Sequence, residues 1–138
     1  EEFKKVSDAY YLMSDDGSVG EKGLVTNKLE DLITGGEKFD EVVAIGPIVM
    51  MKFVSLTTKK YNIPTTVSMN PVMIDGTGMC GGCRLKVGDE IKFACVDGPD
   101  FDGHLVDFDQ AMARNTAYKS FEAHKRDEAC HLLNKEVE

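Results

Sequence analysis

Three of the four cysteines, Cys80, Cys83 and Cys95, crowd into one glycine-rich stretch, while Cys130 stands near the end. That placement constrains the fold more than any other feature of the sequence. A disulfide scaffold spreads an even set of cysteines along the chain, so thiols gathered this closely point instead to metal ligation. Gly76, Gly78, Gly81 and Gly82 are interleaved with them. Such residues let a backbone take positive φ and pass close to a bound group. Two short strands are predicted after the loop, Arg84 to Val87 and Glu90 to Ala94, joined at Gly88-Asp89 as a hairpin would be. That hairpin would carry Cys95 back towards Cys80 and Cys83.

With Asp75 in the first place, the spacing reads D-x4-C-x2-C-x11-C. Plant-type [2Fe–2S] sites use C-x4-C-x2-C and a more distant cysteine. A two-iron cluster needs four anionic ligands converging from different directions, and a tight loop can supply three of them. The spacing therefore favours a [2Fe–2S] cluster on Asp75, Cys80, Cys83 and Cys95. A zinc site with three sulfur ligands is the alternative, followed by unligated thiols in a glycine-rich loop. A carboxylate is a harder ligand than a thiolate, so Asp75 is expected to favour ferric iron and lower the reduction potential. Glycine N–H groups aimed at sulfur would tune the same potential. Cys130 is expected to be an unliganded thiol, His104 is a weak further candidate, and His124 and His131 belong to the surface of a tail helix.

The first half alternates strands and helices. Ala9 to Ser14 is a strand candidate ending in the turn Asp15-Asp16-Gly17-Ser18. Leu24 to Ile33 reads as a helix closed by Gly35-Gly36. Glu41 to Ile45 reads as a buried parallel strand that stops at Gly46-Pro47. Proline suits the first turn of the next helix, whose stripe would be Val49, Met50, Phe53, Val54 and Thr57. Pro64 then precedes a strand from Thr65 to Met69. This order favours an α/β layer with a parallel sheet. The end of a parallel strand is where such sheets bind ligands, although Gly46-Pro47 also starts ordinary helices and no G-x-G-x-x-G fingerprint is present. An acidic loop, VDGPDFDGH, follows the hairpin. From Val106 the tail reads as helical, with a break near Asn115-Thr116 and apolar contacts from Tyr118, Phe121, Leu132 and Leu133.

A formal charge of −8 argues against nonspecific binding to nucleic acid or anionic lipid. No apolar run approaches the ~20 residues needed to span a bilayer. The opening EEFKKVSDAY lacks the pattern of a secretory signal, in keeping with a cytoplasmic protein.

Taken together, SDDGSVGEKGLVT (Ser14 to Thr26), AIGPIVMMK (Ala44 to Lys52), DGTGMCGGC and KFACVDGPDFDGHLVDF (Lys92 to Phe108) resemble the C-terminal part of ferredoxin–NADP reductase-like electron-transfer subunits. The family includes the small subunit of NADH-dependent ferredoxin:NADP oxidoreductase, the related sulfide dehydrogenase subunit, and the dihydroorotate dehydrogenase electron-transfer subunit. The last of these carries cysteine where Asp75 stands, which favours the first two. The resemblance implies half of an NAD(P)-binding α/β domain over residues 1–69, an iron–sulfur domain over 70–106 and a helical tail over 107–138. It places Asp16, Gly17, Gly46 and Pro47 at the nicotinamide and flavin site, and assigns no catalytic residue. It implies FAD and NAD(P) as cofactors of the complete protein, and as partners a larger flavin and [4Fe–4S] subunit and ferredoxin. Members of the family begin with a flavin-binding barrel and a pyrophosphate turn, neither of which is in this sequence. The chain thus reads as a fragment that alone binds no FAD and catalyses little. Its first strand, lacking its neighbour, is expected to rearrange, pair with another copy in a homo-oligomer, or pack poorly.

Overall fold

The computed structural model describes residues 2–117 and 119–129. A short exposed helix, α1 (Glu2–Val6), is followed by β1 (Met13–Ser14) and β2 (Glu21–Lys22), which pair in parallel with Met13 opposite Glu21. Helix α2 (Val25–Thr34) ends at Gly35 and at Gly36, whose φ of +98° stops the coil as a C-terminal glycine does. Strand β3 (Val42–Ile45), helix α3 (Ile48–Lys60) and strand β4 (Thr65–Ser68) form a parallel crossover, with Val42 opposite Thr65 and Ile45 opposite Ser68. Strands β5 (Arg84–Val87) and β6 (Glu90–Phe93) make the antiparallel hairpin, turning at Gly88 with φ +60°. Helix α4 (Ala94–Asp97) leads through a cis Gly98-Pro99 bond to β7 (Asp100–Asp102), and α5 (Phe108–Thr116) and α6 (Lys119–Ala129) follow.

The chain is thus a mixed α/β structure of small sheets and helices, and several sequence expectations need correction. The strand expected over Ala9 to Ser14 survives only as Met13–Ser14. It pairs with β2 instead of joining the sheet of β3. Tyr10, Tyr11 and Leu12, expected in that strand, are exposed. The expected parallel sheet is mixed, because β7 adds antiparallel to β4, with Phe101 opposite Val67. Sequence composition hid β7 inside an acidic loop. Its Asp-Phe-Asp alternation is nevertheless that of a strand with one buried face, and Phe101 fills the core. In α3 the buried stripe is Met51, Val54, Ser55, Thr57 and Thr58, whereas Val49 and Phe53 of the expected stripe are half exposed. The rotation has a physical cause: the core offered by β4 and α5 meets that side of the helix. There Ser55 Oγ donates to the Met51 carbonyl at 2.8 Å and Thr58 Oγ1 to the Ser55 carbonyl at 3.2 Å.

One core joins both halves of the chain. Met51, Val54 and Val67 of the crossover pack in the same cluster as Leu85 of the hairpin, Phe101 of β7 and Phe108 and Ala111 of α5. The tail helix begins at Phe108, later than Val106, which forms a bridge with Val87. Asp107 caps it, Oδ1 accepting the Gln110 N–H at 2.9 Å. The break falls at Ala117, the C-cap of α5. Phe121 and His124 are exposed, and Tyr118, Cys130, His131, Leu132 and Leu133 lie outside the described residues. No described helix is long and apolar enough to cross a membrane.

Candidate metal centre

The hairpin does what the spacing requires of it. Arg84 pairs with Phe93 in the last rung, and the Ala94 N–H donates to the Cys83 carbonyl at 3.2 Å, so residues 83 and 95 meet at its open end. Their sulfurs lie 3.2 Å apart. Cys83 is buried and Cys95 partly so. Cys95 sits in the first turn of α4, where backbone N–H groups have no helical acceptor. Its own N–H donates to Cys83 Sγ at 3.4 Å. The turn is held by the Asp97 carboxylate, which accepts the Phe93 N–H at 2.7 Å.

These neighbours set the acidity of Cys95. The Cys83 thiol beside it pushes the Cys95 thiol up from its ordinary range, burial adds to this, and the Gly78 N–H works the other way. Two thiolates this close repel, so a proton stays until a cation replaces it. Gly78 reaches this position with a φ of +83°, and a Cβ there would stand 3.2 Å from Val96 Cγ2. The position favours glycine on both counts.

Cys80 and Asp75 are arranged differently. Both are exposed, and the Asp75 carboxylate faces its own loop. Oδ1 accepts the Thr77 N–H at 2.8 Å and Oδ2 the Cys80 N–H at 3.0 Å. The Thr77 bond, with help from Cys80, holds the Asp75 carboxyl below the usual carboxylate value. Cys80 Sγ accepts the Gly82 N–H at 3.4 Å. The structure thus brings Cys83 and Cys95 together and leaves Asp75 and Cys80 as a separate pair along the loop. Among the described residues no three His, Cys, Asp or Glu side chains converge on one cation position. The donor set fits a [2Fe–2S] cluster all the same: three thiols and a carboxylate share one loop and hairpin, and N–H groups already face the sulfurs. The two N–H bonds use one acceptor site on each Asp75 oxygen and leave lone pairs for a metal.

His104 lies elsewhere. Its Nε2 is 3.1 Å from Thr58 Oγ1, which in turn is 2.5 Å from Thr65 Oγ1, in a polar network behind β4. Of the residues expected at a nucleotide site, Pro47 lines an apolar cavity of about 350 Å³ with Met13, Asp15, Leu24, Met50 and Phe53. Gly46, Asp16 and Gly17 are not among its lining residues. Asp16 is engaged locally, Oδ1 accepting the Ser18 N–H at 2.9 Å, and that bond draws its pKa down. Sequence reasoning missed Arg114, whose Nη2 lies 3.4 Å from the Gly81 carbonyl oxygen and 3.3 Å from that of Gly82. No local signal marks it, because the contact is made only when α5 packs beside the loop.

Residues 70–107 match the iron–sulfur cluster binding domain of dihydroorotate dehydrogenase B. A Thermotoga maritima protein named as a homologue of the dihydroorotate dehydrogenase B electron transfer subunit is 49% identical over 122 residues, which are 88% of this chain and 43% of that protein. A probable electron transfer subunit of the same enzyme from Methanocaldococcus jannaschii is 42% identical over 106 residues, covering 77% of this chain and 40% of the relative. Among solved structures, a chain of the NADH-dependent reduced ferredoxin-NADP oxidoreductase superposes with a TM-score of 0.81 at 45% identity, covering 93% of this chain and 46% of that one. The chain therefore spans less than half the length of these relatives.

Proposed function

We propose that this chain, which resembles oxidoreductase electron-transfer subunits and contains an iron–sulfur cluster binding domain, relays single electrons through a [2Fe–2S] cluster held by Asp75, Cys80, Cys83 and Cys95. One observation carries the reading. Within the segment matched to that domain, Cys83 and Cys95 meet at 3.2 Å across the hairpin mouth, with a backbone N–H on sulfur. The cluster, when bound, supplies one-electron chemistry between FAD or NAD(P)H and a larger partner subunit. The chain's own residues do the rest. The four side chains bind; Gly78, Gly82 and Cys95 direct N–H groups at sulfur; and burial of Cys83 shields one side from water.

In the complete protein, residues 1–69 would form part of the NAD(P)-binding domain, with Gly46, Pro47, Asp16 and Gly17 near the nicotinamide and flavin. The cavity beside Pro47 supports the placement of that residue, since it lies where β3 gives way to α3. The sheet does not divide at residue 70, because β7 of the cluster segment pairs with β4. This pairing ties the cluster segment directly to the sheet of the nucleotide half.

Two parent complexes remain distinct readings. Asp75 and the solved neighbour favour a ferredoxin:NADP oxidoreductase type, with ferredoxin and a flavin and [4Fe–4S] subunit as partners. The matched domain and the names of the curated relatives favour a dihydroorotate dehydrogenase electron-transfer subunit. The cluster itself is tested by anaerobic reconstitution followed by visible and EPR spectra. Charge-transfer bands, and an EPR signal that appears on reduction and is lost in Cys83→Ala, are expected. A colourless, EPR-silent product that binds zinc would establish the structural-zinc alternative instead.

A further inference from the structure

Arg114 brings a cation to the cysteine loop from α5, beside Arg84, whose Nη1 lies against Gly81. Arg114 projects from α5, half-buried, and its Nη2 lies near the Gly81 and Gly82 carbonyls, at 3.4 and 3.3 Å. These two peptides are the link between Cys80 and Cys83. We infer that Arg114 is a positioning residue for the cluster, orienting the Gly81–Gly82 link and holding a permanent positive charge against it. The inference rests on the cluster reading and adds to it a residue that raises the reduction potential.

The planar peptide makes the argument specific. The carbonyl of Gly81 and the N–H of Gly82 belong to one peptide unit. Arg114 donates to its oxygen, while its N–H donates to Cys80 Sγ at 3.4 Å. A cation on the oxygen polarises that unit, which strengthens the donor on the sulfur side. The guanidinium is always charged, and in its planar fork one nitrogen, Nη2, carries two N–H donors, one for each carbonyl. Reduction adds negative charge to the cluster, and both effects favour the more negative state.

The support beneath Arg114 is firm. The Asp107 N–H donates to the Lys86 carbonyl at 2.9 Å, fixing the start of α5 to the hairpin. Phe108 and Ala111 are buried, and Ala111 lies one turn before Arg114 on the same side. Lys52 Nζ pairs with Asp109 Oδ1 at 2.6 Å, tying α5 to α3. The simpler role for an arginine in a last turn is to offset the helix dipole. That role would alter stability and leave the potential alone.

The test uses the whole chain, reconstituted anaerobically with iron and sulfide, and an EPR-monitored redox titration. Arg114→Gln is expected to move the midpoint to more negative values and to speed bleaching by a chelator about 10-fold, as loss of a supporting contact does at other metal sites. Arg114→Lys keeps the charge without the fork. It should bleach faster than wild type with a midpoint between those of wild type and Arg114→Gln, and it carries the test if Arg114→Gln does not fold. Gly103→Ala, which crowds Ser55 and Val67 and touches neither Arg114 nor the loop, should lower the thermal midpoint and leave the redox midpoint in place. An unchanged potential in Arg114→Gln, or in Arg114→Lys where that carries the test, overturns the inference, as does an equal shift in Gly103→Ala. A wild-type chain that takes up no iron and sulfide overturns the cluster reading, and this inference with it.

Discussion

Asp75 carries the sharpest expectations at the scale of single residues. Its carboxylate is a loop brace, bonded to the Thr77 and Cys80 amides and held below its ordinary pKa of 3.8. A depressed carboxyl stabilises the fold above its unfolded value, and the contribution is lost as pH falls through the folded value. The amide shifts of Thr77 and Cys80 should therefore titrate together with a midpoint below 3.8. A midpoint at or above that value would mean the brace is not formed. In the loaded protein, replacing this hard oxygen donor by sulfur in Asp75→Cys should raise the midpoint potential. An unchanged or lower value would remove Asp75 from the ligand set. The spacing of Asp75, Cys80, Cys83 and Cys95 was legible in sequence because ligand order along a loop is a local property. Which of the four side chains meet in space was not, since it depends on the register of β5 on β6 and on how Asp75 satisfies its own loop.

The governing fact for the elements is how closely α3, β4 and the turn after β7 approach. A Cβ on Gly103 would stand 2.5 Å from Ser55 Oγ and 2.9 Å from Val67 Cγ1. Gly103→Ala should therefore cost about 1–3 kcal/mol in chemical denaturation. Met51 is fully buried in the same core, and Met51→Ala should cost about 2–5 kcal/mol. A loss below about 0.5 kcal/mol in either would contradict the packing described. Elements with strong local signals were legible: α2 with its terminal glycines, β3 as a β-branched run, α3 after proline, and the hairpin turning at Gly88. Strand β7 was not, because two aspartates flank its single core residue, Phe101, and only pairing with β4 makes it a strand. The buried side of α3 was misread for a related reason. Apolar spacing offered Val49 and Phe53 beside Val54 and Thr57, whereas the partners available in space keep only the last two and add Met51, Ser55 and Thr58.

The whole molecule places a thiol-rich loop beside a parallel crossover, with one core running beneath both. Ala44 and Val54 of the crossover share that core with Cys83, a candidate ligand, and with Ala94, the neighbour of Cys95. On the far side of β3, Val43 and Ile45 are exposed and the strand ends its sheet. Strand β1 lies in a separate sheet with β2. The most direct test of the account is the quantity of iron, acid-labile sulfide and zinc in the chain after strictly anaerobic reconstitution. The account predicts about two irons and two sulfides per chain and no zinc, with incorporation abolished in a Cys83→Ala, Cys95→Ala double variant. Zinc bound in place of iron, or iron uptake unaffected by that variant, would contradict it.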